Sequence, residues 1–347
     1  MPEPTTQAPS IERPEPSGEP RVTVVTRLRD TAQLGKCIDS VLSQSHRNLE
    51  YLLVDFESSR QALALAEEYA RRDSRVRILR TDRSLSMMDC YNVALAEIDP
   101  ESAYFKIVDA ADLLFPFCLR EMMAVAETAP NVAIVSSYRL RGTEIDGLGL
   151  DPNRTVVTGR EACRLHLLDG IFLFGSPMRL LFRSELLADR QPFFASGRQH
   201  ADTEAVFEIL ANRDFGFVHR SLGSSSAEPE AGKRAGLVIG ASALDRFIVV
   251  SQYGPVYLDP KEYALCLKGA MRWYYSVLAR AWMMERVGHS QDGFWSYHRD
   301  GLRTIGEAIR PELLALALAR LTAGKLLAPW RALRGIEEEP ESFRRRT

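Results

Sequence analysis

The chain has 347 residues, enough for one large hydrophobic core or two smaller ones. Its composition, 46% hydrophobic and 26% charged, is that of an ordinary soluble globular protein, and a net charge of -2 gives no basis for a nucleic-acid partner. Cys37, Cys90, Cys118, Cys163 and Cys266 are scattered and form no C-x-x-C pair, so they read as reduced core residues of a cytoplasmic protein.

Residues 1–20 are rich in Pro, Glu, Ser and Thr and lack an apolar h-region, which predicts a disordered tail and no signal peptide. The β-branched run RVTVVT (21–26) predicts a first strand, and Leu34, Cys37, Ile38, Val41 and Leu42 follow at helical spacing. LEYLLV (49–54) predicts a second strand ending at Asp55, residues 60–72 a helix, and residues 76–80 a third strand. Ser84 is a candidate cap for a helix through Met87, Met88, Tyr91, Val93 and Leu95. A strand at 104–108, a helix at 116–128 and a strand at 132–138 complete an alternation that predicts right-handed βαβ units and a mostly parallel sheet covered on both faces.

Beyond residue 140 the pattern is less regular, with helices expected near 159–168 and 203–211 and strands near 178–182 and 215–219. The Ser-, Gly- and Glu-rich run 221–233 reads as a mobile loop. From residue 241 only helices are expected, including a long one near 260–286. Trp273, Tyr274 and Tyr275 lie on consecutive positions of that helix, which favours core packing over a sugar-stacking platform. No apolar run reaches the roughly 18 residues of a membrane span. Residues 313–330, broken by Arg320, Lys325 and Pro329, offer either a helix packed on the core or a peripheral membrane contact, with Lys325, Arg331 and Arg334 near anionic headgroups. The expected organisation is a tail at 1–20, an α/β domain at 21–235, a helical region at 236–335 and a charged tail at 336–347.

The chemistry concentrates in YFKIVDAADLLFP (104–116), where Asp109 and Asp112 follow an apolar run. Open α/β sheets bind ligands beyond the carboxyl ends of their strands. Two carboxylates there suit Mg²⁺ or Mn²⁺ carrying a diphosphate. They read equally as loop acids, one capping the helix that follows.

The ordered set VTVVTRLRD (22–30), IDSVLSQSHRNLEYLLVD (38–55), YFKIVDAADLLFP (104–116), LFGSPMRLLFRSELL (173–187), HADTEAVFEIL (200–210) and DFGFVH (214–219) resembles family 2 glycosyltransferases. It is most similar to a bacterial branch with the HADTEA segment and a C-terminal helical extension. The resemblance implies a GT-A-type fold and a nucleotide-sugar donor. It also implies a glycan or lipid-linked acceptor, inversion at the anomeric carbon by one direct displacement, and a role in surface or capsular glycan synthesis. It puts Thr26, Asp55 and Asp109 against the nucleotide-sugar, Asp109 and Asp112 on the metal, and Asp202 as catalytic base, while Arg27 and Glu57 are further candidate nucleotide-sugar contacts at positions that depart from the family pattern. A base fits the chemistry, because an acceptor hydroxyl must lose its proton as the new bond forms. Asp202 also reads as a helix N-cap, Glu204 as a first-turn acid favoured by the helix dipole, and His200 and His219 as structural histidines. His219, at a strand end, is also a metal-ligand candidate.

The departures from the family pattern matter as much. The metal turn reads Asp109-Ala110-Ala111-Asp112, with Ala111 where the family's metal acid stands. Phe56 replaces the second acid after Asp55, although Glu57 is adjacent. The first strand ends Arg27-Leu28-Arg29-Asp30 where the family has Pro-x-Tyr-Asn, and either arginine could neutralise diphosphate charge. These changes keep open a non-catalytic descendant that binds nucleotide or a partner. A nucleotidyltransferase is disfavoured by the lack of a Gly-rich phosphate loop near the first strand.

Overall fold

The computed structural model describes residues 18–30, 32–56, 58–81, 85–171, 173–176, 179–198, 200–225, 240–286 and 293–333, with side chains through 323. Residues 1–17 of the expected N-terminal tail and all of the charged C-terminal tail therefore lie outside the described residues, as do Glu57, Ser84, Lys325 and Arg331 as side chains, and Arg334.

The strands are β1 (Arg21–Arg27), β2 (Leu49–Phe56), β3 (Val76–Thr81), β4 (Ser102–Ile107), β5 (Asp112–Leu114), β6 (Val132–Arg141), β7 (Glu144–Asp146), β8 (Val156–Thr158), β9 (Leu181–Arg183) and β10 (Asp214–Ser225). They form one sheet in the order β3-β2-β1-β4-β9-β6-β10-β5, with β7 beside β6 and β8 beside β10. The pairs β1–β2, β2–β3, β1–β4 and β6–β10 are parallel. Because β9 is antiparallel to both β4 and β6, those two strands also point the same way. The carboxyl ends of β1, β2, β3, β4, β6 and β10 thus share one edge. The chain steps outward from β1 to β2 and β3, then returns to β4 on the other side of β1. That reversal makes β1/β4 the crevice where such sheets take ligands.

Side chains alternate along the strands, so each face has its own core. Val22, Val24, Tyr51 and Leu53 face α1 (Leu34–Leu42), α2 (Arg60–Arg72) and α4 (Cys118–Ala126). Val25, Leu52, Val54 and Phe105 face α3 (Met87–Leu95), α5 (Gly159–Asp169) and α7 (Ala201–Leu210). A four-residue α6 (Leu186–Asp189) lies between. In α1 the buried set Leu34, Cys37, Ile38 and Val41 keeps the predicted spacing. The cap of α3 is Ser86, whose hydroxyl accepts the Asp89 N–H at 3.2 Å. α5 starts at the Thr158 cap and stops at Gly170, which sits at φ 65° where a side chain would be strained.

Residues 221–225, read from sequence as loop, belong to β10. They stay extended because they pair with β6 on one side and β5 on the other.

The helices that follow are α8 (Ala241–Tyr257), α9 (Pro260–Arg286), α10 (Phe294–Arg303) and α11 (Pro311–Leu333). Tyr274 is fully buried, Tyr275 nearly so and Trp273 39% exposed, the divergence expected of consecutive helical positions. Leu313, Leu314, Leu318 and Leu321 of α11 pack against the core. Among the described residues no helix is long and apolar enough to cross a membrane.

Candidate active site

Register places the candidate residues of β1, β2 and β4 at one edge. Arg27 is level with Val54, next to Asp55, and the Val108 N–H donates to the Val25 carbonyl at 2.9 Å, so Asp109 emerges beside the end of β1. Neighbouring strands lie about 4.8 Å apart. The backbones of Thr26, Asp55 and Asp109 therefore converge at the β1/β4 crevice.

Their side chains differ in availability. Thr26 is fully buried and its hydroxyl accepts from Tyr51 at 3.1 Å, so it lies beneath the crevice floor. Arg27 is half-buried, and its Nε has no hydrogen-bond partner. Asp55 Oδ1 accepts from the Ser58 hydroxyl at 2.5 Å and from the Ser58 N–H at 3.4 Å, closing the turn after β2. Glu57 lies outside the described residues.

The acidic turn folds on itself. Asp109 Oδ1 accepts the Ala111 N–H at 3.0 Å, and the Asp112 N–H donates to the Asp109 carbonyl at 2.9 Å. Its other oxygen, Oδ2, pairs with Arg29 at 3.4 Å. Asp112 then opens β5 and pairs with Arg139 of β6 at 3.3 Å. Position 111, between the two acids, carries only a methyl group. Among the described residues no group of three or more His, Cys, Asp or Glu side chains could hold a metal ion. Two carboxylates, each facing a guanidinium, do not fit a resident divalent cation, which favours several oxygen ligands. His219 adds none. Its Nε2 lies 2.8 Å from the Arg154 carbonyl, which can only accept, so Nδ1 takes the Tyr138 hydroxyl at 3.0 Å.

Sequence reasoning named Arg27 and Arg29 but missed Lys106, Arg139 and Arg179 near this turn. Leu181 pairs with both Lys106 and Val135, which sets Arg179, two residues earlier, level with Val108 and Ser137 at the same edge. Its Nη2 donates to the Ser137 carbonyl at 2.8 Å. Burial, reinforced by Arg139, brings its guanidinium down to about 10, still charged at neutral pH. Gly147 and Gly175 both adopt positive φ, and a Cβ at either would collide with Arg179. The signals were present in weak form: a lone Lys106 inside an apolar strand, and Arg179 between Gly175 and an apolar run.

Asp202 reaches this edge by a different route. α7 ends at Leu210 and β10 begins at Asp214, whose partner Val132 starts β6. The helix therefore runs from the carboxyl edge back to the amino edge, about 15 Å for ten residues, and its first turn lies on the ligand side. His200 is the N-cap residue, so Asp202 sits inside the first turn, where its carboxylate accepts the Thr203 N–H at 2.8 Å. Burial pushes the Asp202 carboxyl above its ordinary range, against the pull of that hydrogen bond. His200 contacts Asp245, and burial lowers it to about 4, so the ring is neutral at pH 7. Glu204 is buried and pairs with Arg198 at 2.7 Å.

Comparison with known proteins gives the arrangement a family. The sequence model described as Glycosyl transferase family 2 matches residues 22–201, more than half of the chain. Glycosyltransferase GlyG of Streptococcus pneumoniae is 27% identical over 209 residues, 55% of this chain and 66% of that protein. O-antigen biosynthesis protein RfbC of Myxococcus xanthus is 30% identical over 142 residues, 40% of this chain and 10% of that protein. The chain spans between 10% and 66% of the length of such curated relatives. Among solved structures, S. aureus TarS in complex with UDP-GlcNAc superposes with a TM-score of 0.55 at 14% identity, over 83% of this chain and 80% of that one. The mannosyltransferase PcManGT of Pyrobaculum calidifontis, in complex with GDP-Man and Mn²⁺, gives 0.51 at 19% identity, over 94% and 86%. By that family match, with relatives named as glycosyltransferases and these fold neighbours, the chain belongs to glycosyltransferase family 2, a transferase family, on a GT-A-type fold.

Proposed function

We propose that this protein is an inverting glycosyltransferase that moves a sugar from a nucleotide-sugar donor to a hydroxyl of a glycan or lipid-linked acceptor, in bacterial surface or capsular glycan synthesis. The observation that carries this reading is the arrival of Asp202 at the edge that also holds Arg27, Asp55 and Asp109. The half-buried Asp202 carboxylate is a stronger base than an exposed one, because burial raises its proton affinity. It takes the acceptor proton as the acceptor oxygen attacks the anomeric carbon. Asp55, at the end of β2, orients the base or ribose of the donor, and Asp109 shapes the turn beneath the diphosphate. A peripheral place at the inner membrane would suit a lipid-linked acceptor, with α11 as the contact. Among the described residues the Mg²⁺ or Mn²⁺ of the family resemblance has only Asp109 and Asp112 of this turn to hold it, so no step is assigned to it.

A panel of nucleotide-sugars, starting with UDP- and GDP-sugars, tests the reading by binding and by hydrolysis or transfer. Failure of every donor to bind would remove it. A second reading, a non-catalytic nucleotide-binding descendant, is favoured by Ala111. It predicts binding without turnover under every metal condition.

A further inference from the structure

We propose, resting on the donor reading above, that Arg139 and Arg179, with Arg27 and Arg29 beside the same turn, hold the donor diphosphate without a divalent cation. The geometry is that of an anion site waiting for its ligand. Arg179 is only 5% exposed, yet its Nη2 donates to a neutral carbonyl, that of Ser137, and its Nε has no hydrogen-bond partner. The Arg139 Nε is likewise buried without a partner. Its ion pairs with Asp112 and Asp146, at 3.3 and 3.6 Å, are longer than the roughly 2.7–2.9 Å of strong charged hydrogen bonds. Asp146 is held at 2.6 Å by Arg141. A buried guanidinium this poorly matched is costly unless something else neutralises it.

Charge gives the ligand class. Arg29 pairs with Asp109 at 3.4 Å, and Arg27 ends β1 level with the start of the same turn. With Asp146 closed by Arg141, Arg139 has Asp112 at 3.3 Å, and among the described residues no carboxylate lies within ion-pair distance of Arg179. Each phosphate linked in a chain carries about one negative charge, so a diphosphate suits a pair of guanidiniums placed this way. Planar guanidinium forks suit phosphate oxygens. Gly147 and Gly175 leave room for the Arg179 side chain, since a Cβ at either would collide with it.

In the transfer, the bond from the anomeric carbon to the diphosphate oxygen breaks and its electron pair stays on that oxygen. The acceptor oxygen forms the new bond, and its proton passes to Asp202. The charge that grows on the leaving diphosphate falls among fixed guanidiniums, which act as the preorganised electrostatic partner.

The test uses the whole protein stripped of metal on a chelating resin. UDP, GDP, CDP and dTDP are titrated calorimetrically in excess EDTA and in excess Mn²⁺. One of them should bind in EDTA within about threefold of its affinity in Mn²⁺. Arg139→Gln should weaken that binding about tenfold or more, and Arg139→Lys should recover part of it. Circular-dichroism melts check that both variants fold, and the EDTA comparison on the unaltered protein needs no variant. Binding that vanishes in EDTA and returns with Mn²⁺ overturns the proposal and leaves the donor reading standing. Unchanged affinity in a folded Arg139→Gln overturns it as well. No binding by any of the four in either buffer overturns both.

Discussion

At the amino edge of the sheet, Glu50 accepts from the Thr23 hydroxyl at 2.8 Å, from Arg77 at 2.8 Å and from the Asp99 N–H at 2.9 Å. Arg183 on the same side donates to the Val132 and Ala126 carbonyls at 2.8 and 2.6 Å. The Arg21 Nε there makes no hydrogen bond but lies 2.8 Å from an Asp99 carboxylate oxygen, whereas at the carboxyl edge Arg27, Arg139 and Arg179 each keep a buried Nε without a hydrogen-bond partner. Both edges of the one sheet carry buried or half-buried charge. Where the network is closed, the charges fasten strands together and leave nothing for a ligand. Where it is open, the unmatched donors fall on the side proposed above to receive one, in keeping with the rule that buried polar groups in native proteins are nearly always satisfied.

The contrast is broken most strongly at Asp202. Asp202→Asn should keep the shape and bind donor normally while turnover falls about a hundredfold or more, as a transfer assay would read. Because the base works only when ionised and its carboxyl is raised, turnover of the unaltered protein should fall as pH drops through a value above the ordinary carboxylate range. The residual rate of the Asn variant should lack that limb. At the amino edge, Glu50→Ala strands three donors and should cost about 2–4 kcal/mol in urea unfolding. Its nucleotide affinity should be unchanged, and a loss of affinity in the folded variant would erase the division between the edges.

Ala111→Asp sharpens the comparison from the metal side. A third carboxylate in the turn should raise Mn²⁺ affinity about tenfold, read by calorimetry with and without a nucleoside diphosphate. Tight metal binding by the free protein, unaffected by this change, would place the ligands elsewhere. The smallest effect is on stability. A carboxyl whose folded affinity for protons is raised stabilises the fold when protonated, and that contribution is lost as pH rises through the folded value. At neutral pH Asp202→Asn should therefore melt later, by roughly 0.5–2 kcal/mol, and the gain should vanish at a pH below the ordinary carboxylate value.

The elements with their own pattern were legible in the sequence. β1, β2 and β4 are continuous apolar runs buried on both faces, and α1 repeats its apolar residues at helical spacing. β5, β7 and β8 were not, because a three-residue strand has no periodicity and exists only through its partners β10 and β6. The acidic turn was legible because Asp109 and Asp112 are neighbours in sequence. Arg139 and Arg179 were not, since β9 alone brings residues 40 apart to one edge. Sequence proximity carries turns, and pairing across the sheet carries the rest.

The aromatic seam between α7 and α8 has a consequence for how the chain unfolds. Phe207 stacks on Tyr253 at 4.9 Å and meets Tyr257 edge-on at 5.6 Å, and the Tyr257 hydroxyl donates to the Phe207 carbonyl. Arg164 of α5 grips Glu262 of α9 through two hydrogen bonds of 2.7 Å. One face of the sheet thus has its outer wall supplied by residues beyond 240. A chain cut near residue 235 would leave Phe207 and its neighbours facing water, each at about 2–3 kcal/mol of lost burial. The shared seam predicts that the helices and the sheet melt in a single transition by calorimetry.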